Sequence, residues 1–169
     1  DVSGVGSPLD LTISDPGAVT WLPGGGLSLD SAVVITSPGP STKIFDACQT
    51  TQAVTVEAWV DPANTTQSGP ARSVSHSVNG NPDGGNFMLG QDGTGLEARL
   101  RTTATNQYGA PALAAPGALG TDLTHLVYTR DAAGARSLYI DGVLADSGNI
   151  GGTFANWGDY TLTLGNEPP

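Results

Sequence analysis

At 169 residues the chain is one domain's worth, long enough to bury a two-layer core; 24 Gly and 12 Pro beside 38% hydrophobic residues describe a turn-rich folded protein, not a disordered one. Six basic against sixteen acidic residues leave a net charge of -10, which repels phosphate backbones and anionic membranes and excludes nucleic acid as a partner. No run approaches the roughly 20 apolar residues of a membrane span; Asp1 opens the chain without a charged-then-apolar leader, and few Lys beside many Thr, Ser, Asn and Gly read as extracellular.

Leu9, Leu11 and Ile13 alternate with Asp10 and Thr12 up to the turn-forming Asp15-Pro16-Gly17, and Val19 to Leu22 runs into Pro23-Gly24-Gly25-Gly26. Leu27 to Leu29, Val33 to Ile35 and Thr42 to Phe45 follow as short strands, the last after a Ser37-Pro38-Gly39-Pro40 break. Cys48 is the single cysteine, so no disulfide forms within the chain, and it reads as a small buried hydrophobe. Val54 to Val60 is the clearest strand, with Val54, Val56, Ala58 and Val60 on one face and Thr55, Glu57 and Trp59 on the other. Trp21 and Trp59, lying inside alternating strands, are assigned to the core.

Ser73 to Val78 alternates again, and a polar loop from Asn79 to Asn86 turns the chain before Phe87 to Gln91. Gln91-Asp92-Gly93-Thr94-Gly95 is a hairpin turn into Leu96 to Thr103, where Leu96, Ala98, Leu100 and Thr102 oppose Glu97, Arg99, Arg101 and Thr103. Asn106 to Gly120, rich in Ala, Pro and Gly, reads as a long irregular loop over the surface. Leu123 to Arg130 is a strand, and the runs flanking Asp141-Gly142 form a hairpin, because both turn residues readily take the positive φ of a two-residue turn. These three strands make an antiparallel meander. No sustained helical spacing, repeat or heptad is present, and about a dozen short strands predict one all-β domain over residues 1–169: a two-sheet antiparallel β-sandwich or jelly roll.

The order of Val54 to Val60 (VTVEAWV), Phe87-Met88-Leu89-Gly90, Leu123 to Arg130, Leu138-Tyr139-Ile140-Asp141-Gly142 and Leu162 to Asn166 resembles the laminin-G-like members of the concanavalin A-like lectin/glucanase superfamily. The resemblance implies a sandwich of two curved antiparallel sheets, used mostly for binding glycans or proteins outside the cell, often with calcium near a loop rim. Two departures stand out. Thr124 and His125 occupy the neighbourhood where that family commonly carries a Trp, and the chain stops at Glu167-Pro168-Pro169 where the family adds a closing apolar strand. A sandwich lacking that strand exposes unpaired N–H and C=O groups. Either the polypeptide is a fragment of a longer protein, or a neighbouring chain donates the strand, as in a surface assembly or filament that self-associates through an open sheet edge.

Glycan cleavage needs two carboxylates at fixed separation, and Glu57, Glu97 and Glu167 are far apart in sequence with no Glu-x-Asp-x-x-Glu cluster. His76 and His125 have no nucleophile elbow to serve, and with Cys48 they lack the short spacings of a zinc site. Pro23-Gly24-Gly25-Gly26 lacks the Lys of a phosphate-binding loop. Calcium takes several hard oxygens from flexible loops, and Asn81, Asp83, Asn86 and Asp92, with Asn79 beside them and Asp15 or Asp30 from an early turn, are the candidate ligands. A sugar site wants an aromatic plane and planar polar groups. Trp157, Tyr108, Asn106 and Asn156 are placed in loops where they converge, with Arg99 and Arg101 on a strand face behind them. The expected protein is therefore a noncatalytic extracellular adhesion module, with a glycan or an extracellular protein as partner.

Overall fold

The computed structural model describes residues 1–78 and 84–166. The strands are β1 (Thr12–Ile13), β2 (Val19–Trp21), β3 (Leu27–Leu29) and β4 (Ile35–Thr36), then β5 (Val54–Val60), β6 (Ala71–Ser77), β7 (Gly85–Asp92) and β8 (Gly95–Leu100). They continue as β9 (Leu113–Ala115), β10 (Thr124–Arg130), β11 (Ala135–Ile140), β12 (Val143–Asn149) and β13 (Thr161–Leu164); one helix, α1 (Thr42–Thr51), lies between β4 and β5. A seven-stranded sheet in the order β1-β4-β13-β6-β7-β8-β9 packs on a four-stranded sheet in the order β12-β11-β10-β5, with β2 and β3 as a separate hairpin. Every ladder is antiparallel, so the expected sandwich is the observed one.

Alternation explains the core. Leu96, Ala98 and Leu100 point inward from β8, Phe87 and Leu89 from β7, Val54 and Val56 from β5, and Leu126, Tyr128 and Leu138 from the opposing meander, all into one cluster. The meander pivots as expected on Asp141 and Gly142, with φ of 50° and 77°. Two buried arginines, Arg130 and Arg136, sit opposite each other on β10 and β11 and direct their guanidinium groups at carbonyls: Arg130 Nη2 donates to Gly152 at 2.9 Å and Arg136 Nη1 to Pro111 at 2.9 Å.

Three expectations need correcting. The segment from Thr42 to Phe45 is the first turn of α1, not a strand. Its Ile44, Phe45 and Cys48 recur at helical spacing and pack on the core, and Gln52 ends it in a left-handed conformation with its N–H donated to the Cys48 carbonyl. Threonine-rich helices have weak intrinsic propensity, so packing decides this one. The loop from Asn106 to Gly120 contains β9, which pairs with β8. Trp21 and Trp59 are 73% and 64% exposed and belong to the surface.

Cys48 is buried as expected, and desolvation pushes its thiol up to about 11. β12 lies over β9 and β5 over β6, so β13, β4 and β1 extend past the smaller sheet. Their inward residues Ile13, Ile35, Leu162 and Leu164 line an apolar groove of about 650 Å³. Among the described residues β5 pairs with β10 alone and leaves its other edge without a ladder.

Candidate functional site

The outer face of β6, β7 and β8 carries a cleft of about 160 Å³. Its floor is Ser75, Ser77 and Met88, and its walls are Arg72, Arg99, Arg101 and Tyr108. Ser75 and Ser77 are fully or nearly buried and lie within 3.2 Å of each other through their hydroxyls. Arg99 is held upright by Glu97, two residues away on the same strand face, at 2.8 Å. Three of the six basic residues of a strongly acidic chain therefore surround one small depression.

Two glycines build the wall that carries Tyr108. A Cβ at Gly84 would lie 2.0 Å from the Gln107 carbonyl oxygen, and one at Gly109 would lie 2.6 Å from the Leu100 amide, so only glycine lets this loop lie flat on β7 and β8. Asn106 shapes the same loop, its Oδ1 accepting from the amides of Tyr108 and Ala110, each at 3.0 Å. The structure thus brings together Tyr108, Arg99 and Arg101 from the expected sugar site and gives Asn106 a supporting part.

Trp157 and Asn156 are not in that cleft. Trp157 is 6% exposed, stacks on Phe154 at 4.2 Å and donates Nε1 to the Arg101 carbonyl at 2.6 Å, so it props the cleft from beneath and offers no plane to a ligand. Asn156 donates Nδ2 to the Thr102 carbonyl at 2.9 Å in the same buried layer. Arg72, Ser75, Ser77 and Met88 are the cleft residues that strand alternation misses. A bulge between Arg72 and Val74 breaks the period, placing Arg72 opposite Gly90 and on the same outer face as Ser75.

The calcium expectation meets a geometric obstacle. Asn86 and Asp92 sit near opposite ends of the single strand β7, roughly 20 Å apart at the rise of an extended chain, and cannot share an ion. Asn86 is fully buried and occupied: Nδ2 donates to His76 Nδ1 at 2.8 Å and to the Gly158 carbonyl at 2.7 Å, while Oδ1 accepts from the Gly158 amide at 3.1 Å. Asp15 and Asp30 serve turns, accepting from the Gly17 amide and from the Thr20 and Ser28 hydroxyls. No group of three or more His, Cys, Asp or Glu side chains suited to a metal occurs among the described residues. Asn79, Asn81, Asp83 and Glu167 lie outside the described residues.

Both histidines are satisfied. His76 accepts from Asn86 and donates Nε2 to the Tyr160 carbonyl at 3.0 Å, and burial lowers its pKa to about 4, so it is neutral at physiological pH. His125 donates Nε2 to Glu57 at 2.8 Å on the outer face of the smaller sheet. Glu57 and Glu97 stand on opposite outer faces of the sandwich, β5 carrying one and β8 the other, so they cannot flank a glycosidic bond together.

A laminin G family model of the concanavalin A-like lectin/glucanases superfamily matches residues 36–169. The chain belongs to this superfamily. A search of curated proteins finds no match. Among solved structures this laminin-G-like chain is similar to the binding domain of botulinum neurotoxin DC in complex with rat synaptotagmin II, with a TM-score of 0.68, 14% identity, and coverage of 95% of this chain and 40% of that one. A botulinum neurotoxin type C structure, described by cell entry dependent on two ganglioside molecules, matches with a TM-score of 0.64, 15% identity, and coverage of 95% and 39%. The serotype D ligand-binding domain in complex with N-acetylneuraminic acid matches with a TM-score of 0.54 at 12% identity, covering 95% and 44%. The laminin-G-like chain spans about two-fifths of each neighbour, and at these identities the likeness is one of fold. Among the described residues no helix is long and apolar enough to cross a membrane.

Proposed function

We propose that this chain is a noncatalytic extracellular binding module that takes a glycan in the cleft on β6, β7 and β8. The observation that carries the reading is the convergence of Arg72, Arg99, Arg101 and Tyr108 over a floor of buried hydroxyls. Guanidinium groups are planar multiple donors suited to sugar hydroxyls and carboxylates, and a tyrosine ring supplies the apolar plane that a pyranose face needs. At about 160 Å³ the cleft is smaller than the roughly 300 to 1,000 Å³ of drug-sized pockets, so it takes one terminal or branch sugar, not a long chain. The superfamily's lectins and the gangliosides and N-acetylneuraminic acid named with the structural neighbours support a glycan as ligand. Screening the purified chain on a glycan array, beside Arg99→Ala and Tyr108→Ala, tests it. Saturable binding that both variants lose is the expected result; silence across the array, or binding indifferent to both substitutions, overturns it.

A second reading rests on the bare edge of β5 and the apolar groove beside it. An extended segment from another chain adds to β5 and covers Ile35, Leu162 and Leu164, making the protein a subunit of an assembly. Molar mass in solution decides: a concentration-dependent ladder of oligomers supports the subunit, and a monomer at all concentrations removes it.

A further inference from the structure

The outer face of the four-stranded sheet is organised quite differently from the cleft. Register places two rows across it: Trp59 beside His125, whose partner in turn is Asp141, and Glu57 beside Val127, Tyr139 and Leu144. Trp59 is 64% exposed, and Leu144 and Leu123 are 53% and 62% exposed at the margins. The indole is not loose. It stacks on the His125 ring at 4.4 Å and 22°, His125 Nε2 donates to Glu57 at 2.8 Å, and the His125 amide donates to Asp141 Oδ1 at 2.9 Å.

The charge on this face has one sign. Glu57, Asp61, Asp122 and Asp141 are all exposed around Trp59, at the end of the sheet where β5 stops and β10 starts. None of the six basic residues is among them: Lys43 is tied to Asp1, Arg72, Arg99 and Arg101 are across the sandwich, and Arg130 and Arg136 are buried.

We propose that this face docks a basic polypeptide segment, with a lysine or arginine of the partner over the Trp59 indole and neighbouring basic residues against the surrounding carboxylates. The indole quadrupole attracts a cation placed on its face, most strongly for tryptophan among the aromatic side chains. The aliphatic stems of the same residues lie along Leu123 and Leu144. Holding the indole against His125 removes rotamer freedom before the partner arrives, which lowers the ordering cost of binding. The four carboxylates decide between occupants. A neutral sugar could hydrogen-bond to one or two of them but gains nothing from four charges of one sign, whereas a basic segment is drawn by all four, and long-range attraction steers it onto the face at a rate that falls with ionic strength.

The probes are a fluorescently labelled octapeptide alternating arginine and threonine and its counterpart alternating glutamate and threonine, read by anisotropy against the full chain. The arginine peptide is expected to bind saturably and to weaken as salt rises, and the glutamate peptide to fail. Trp59→Ala and the double variant Asp61→Asn, Asp122→Asn should each weaken the arginine peptide by about tenfold, while Arg99→Ala leaves it unchanged, which separates this face from the glycan cleft. Equal affinity for wild type and Trp59→Ala overturns the proposal, as does absence of binding. Oligomers of the chain that dissolve on Trp59→Ala would assign the face to a second copy instead, and glycan binding lost on Trp59→Ala would assign it to sugar; either result overturns a basic partner.

Discussion

The two outer faces of the sandwich are built by the same rule and carry opposite chemistry. On β6, β7 and β8 and just past the end of β8, outward residues place three arginines over buried hydroxyls in a depression, whereas on β5, β10 and β11 and at their ends they place an exposed tryptophan and carboxylates on an open surface. Both sheets bury apolar residues on their inner faces, so core packing constrains neither outer face. Binding chemistry is free to vary there, and charge is segregated where core stability is indifferent to it.

The sharpest way to break that comparison is to remove a tryptophan from each side of the packing boundary. Trp157→Ala should cost about 3 to 5 kcal/mol, because it empties the layer against Phe154 and deprives the Arg101 carbonyl of its donor. Trp59→Ala should cost about 1 kcal/mol or less, the worth of an exposed ring stack. Urea unfolding of both variants measures the contrast, and similar losses would erase the distinction between propped cleft and open platform.

A second test uses pH. His76 has a folded pKa of about 4 against an ordinary 6.5, so between those values the unfolded chain binds a proton that the folded one does not. Stability from this group is therefore complete above about pH 6.5 and lost as pH falls toward 4, by up to ~3 kcal/mol. Because folded His76 stays neutral down to about pH 4 and anchors Asn86 beneath the cleft, glycan affinity should hold through that window and fall only as pH reaches about 4. An unfolding midpoint flat from pH 7 to 4 would remove His76 from that role.

Smaller effects separate function from stability. Arg99→Ala should reduce glycan affinity about tenfold, some 1.4 kcal/mol, while the loss of its half-exposed pair with Glu97 changes unfolding by about 0.5 kcal/mol. The smallest expected effect is none: Asp92→Ala should leave any response of the melting temperature to calcium chelation unchanged, since Asn86 and Asp92 are held apart by β7. A chelator-sensitive melting curve that Asp92→Ala makes insensitive would restore the ion site.

Legibility of the sequence followed local periodicity. Val54 to Val60 and the Asp141-Gly142 hairpin read directly, because alternation and turn chemistry are properties of neighbouring residues. The same alternation put Trp59 beside Glu57, away from the valines, and only the habit of burying tryptophan argued for the core. Arg72 was hidden by a bulge that strict period-two counting cannot register, and α1 by threonines whose helical state depends on contacts with the core. Trp157 was mistaken for a ligand plane because a loop residue can be packed by strands distant in sequence, which no local pattern reveals. Arg99, Arg101 and Tyr108 were legible as a group since β8 and its following loop keep them close along the chain.

The thiol of Cys48 has a practical consequence. With a pKa of about 11 and a place on the buried face of α1, it is ionised in only about one molecule in ten thousand at neutral pH, and alkylating reagents attack the ionised form. A cysteine introduced at the rim of either face is therefore the sole site a maleimide dye or spin label modifies. Site-specific reporters can be attached to both surfaces without first deleting the native residue.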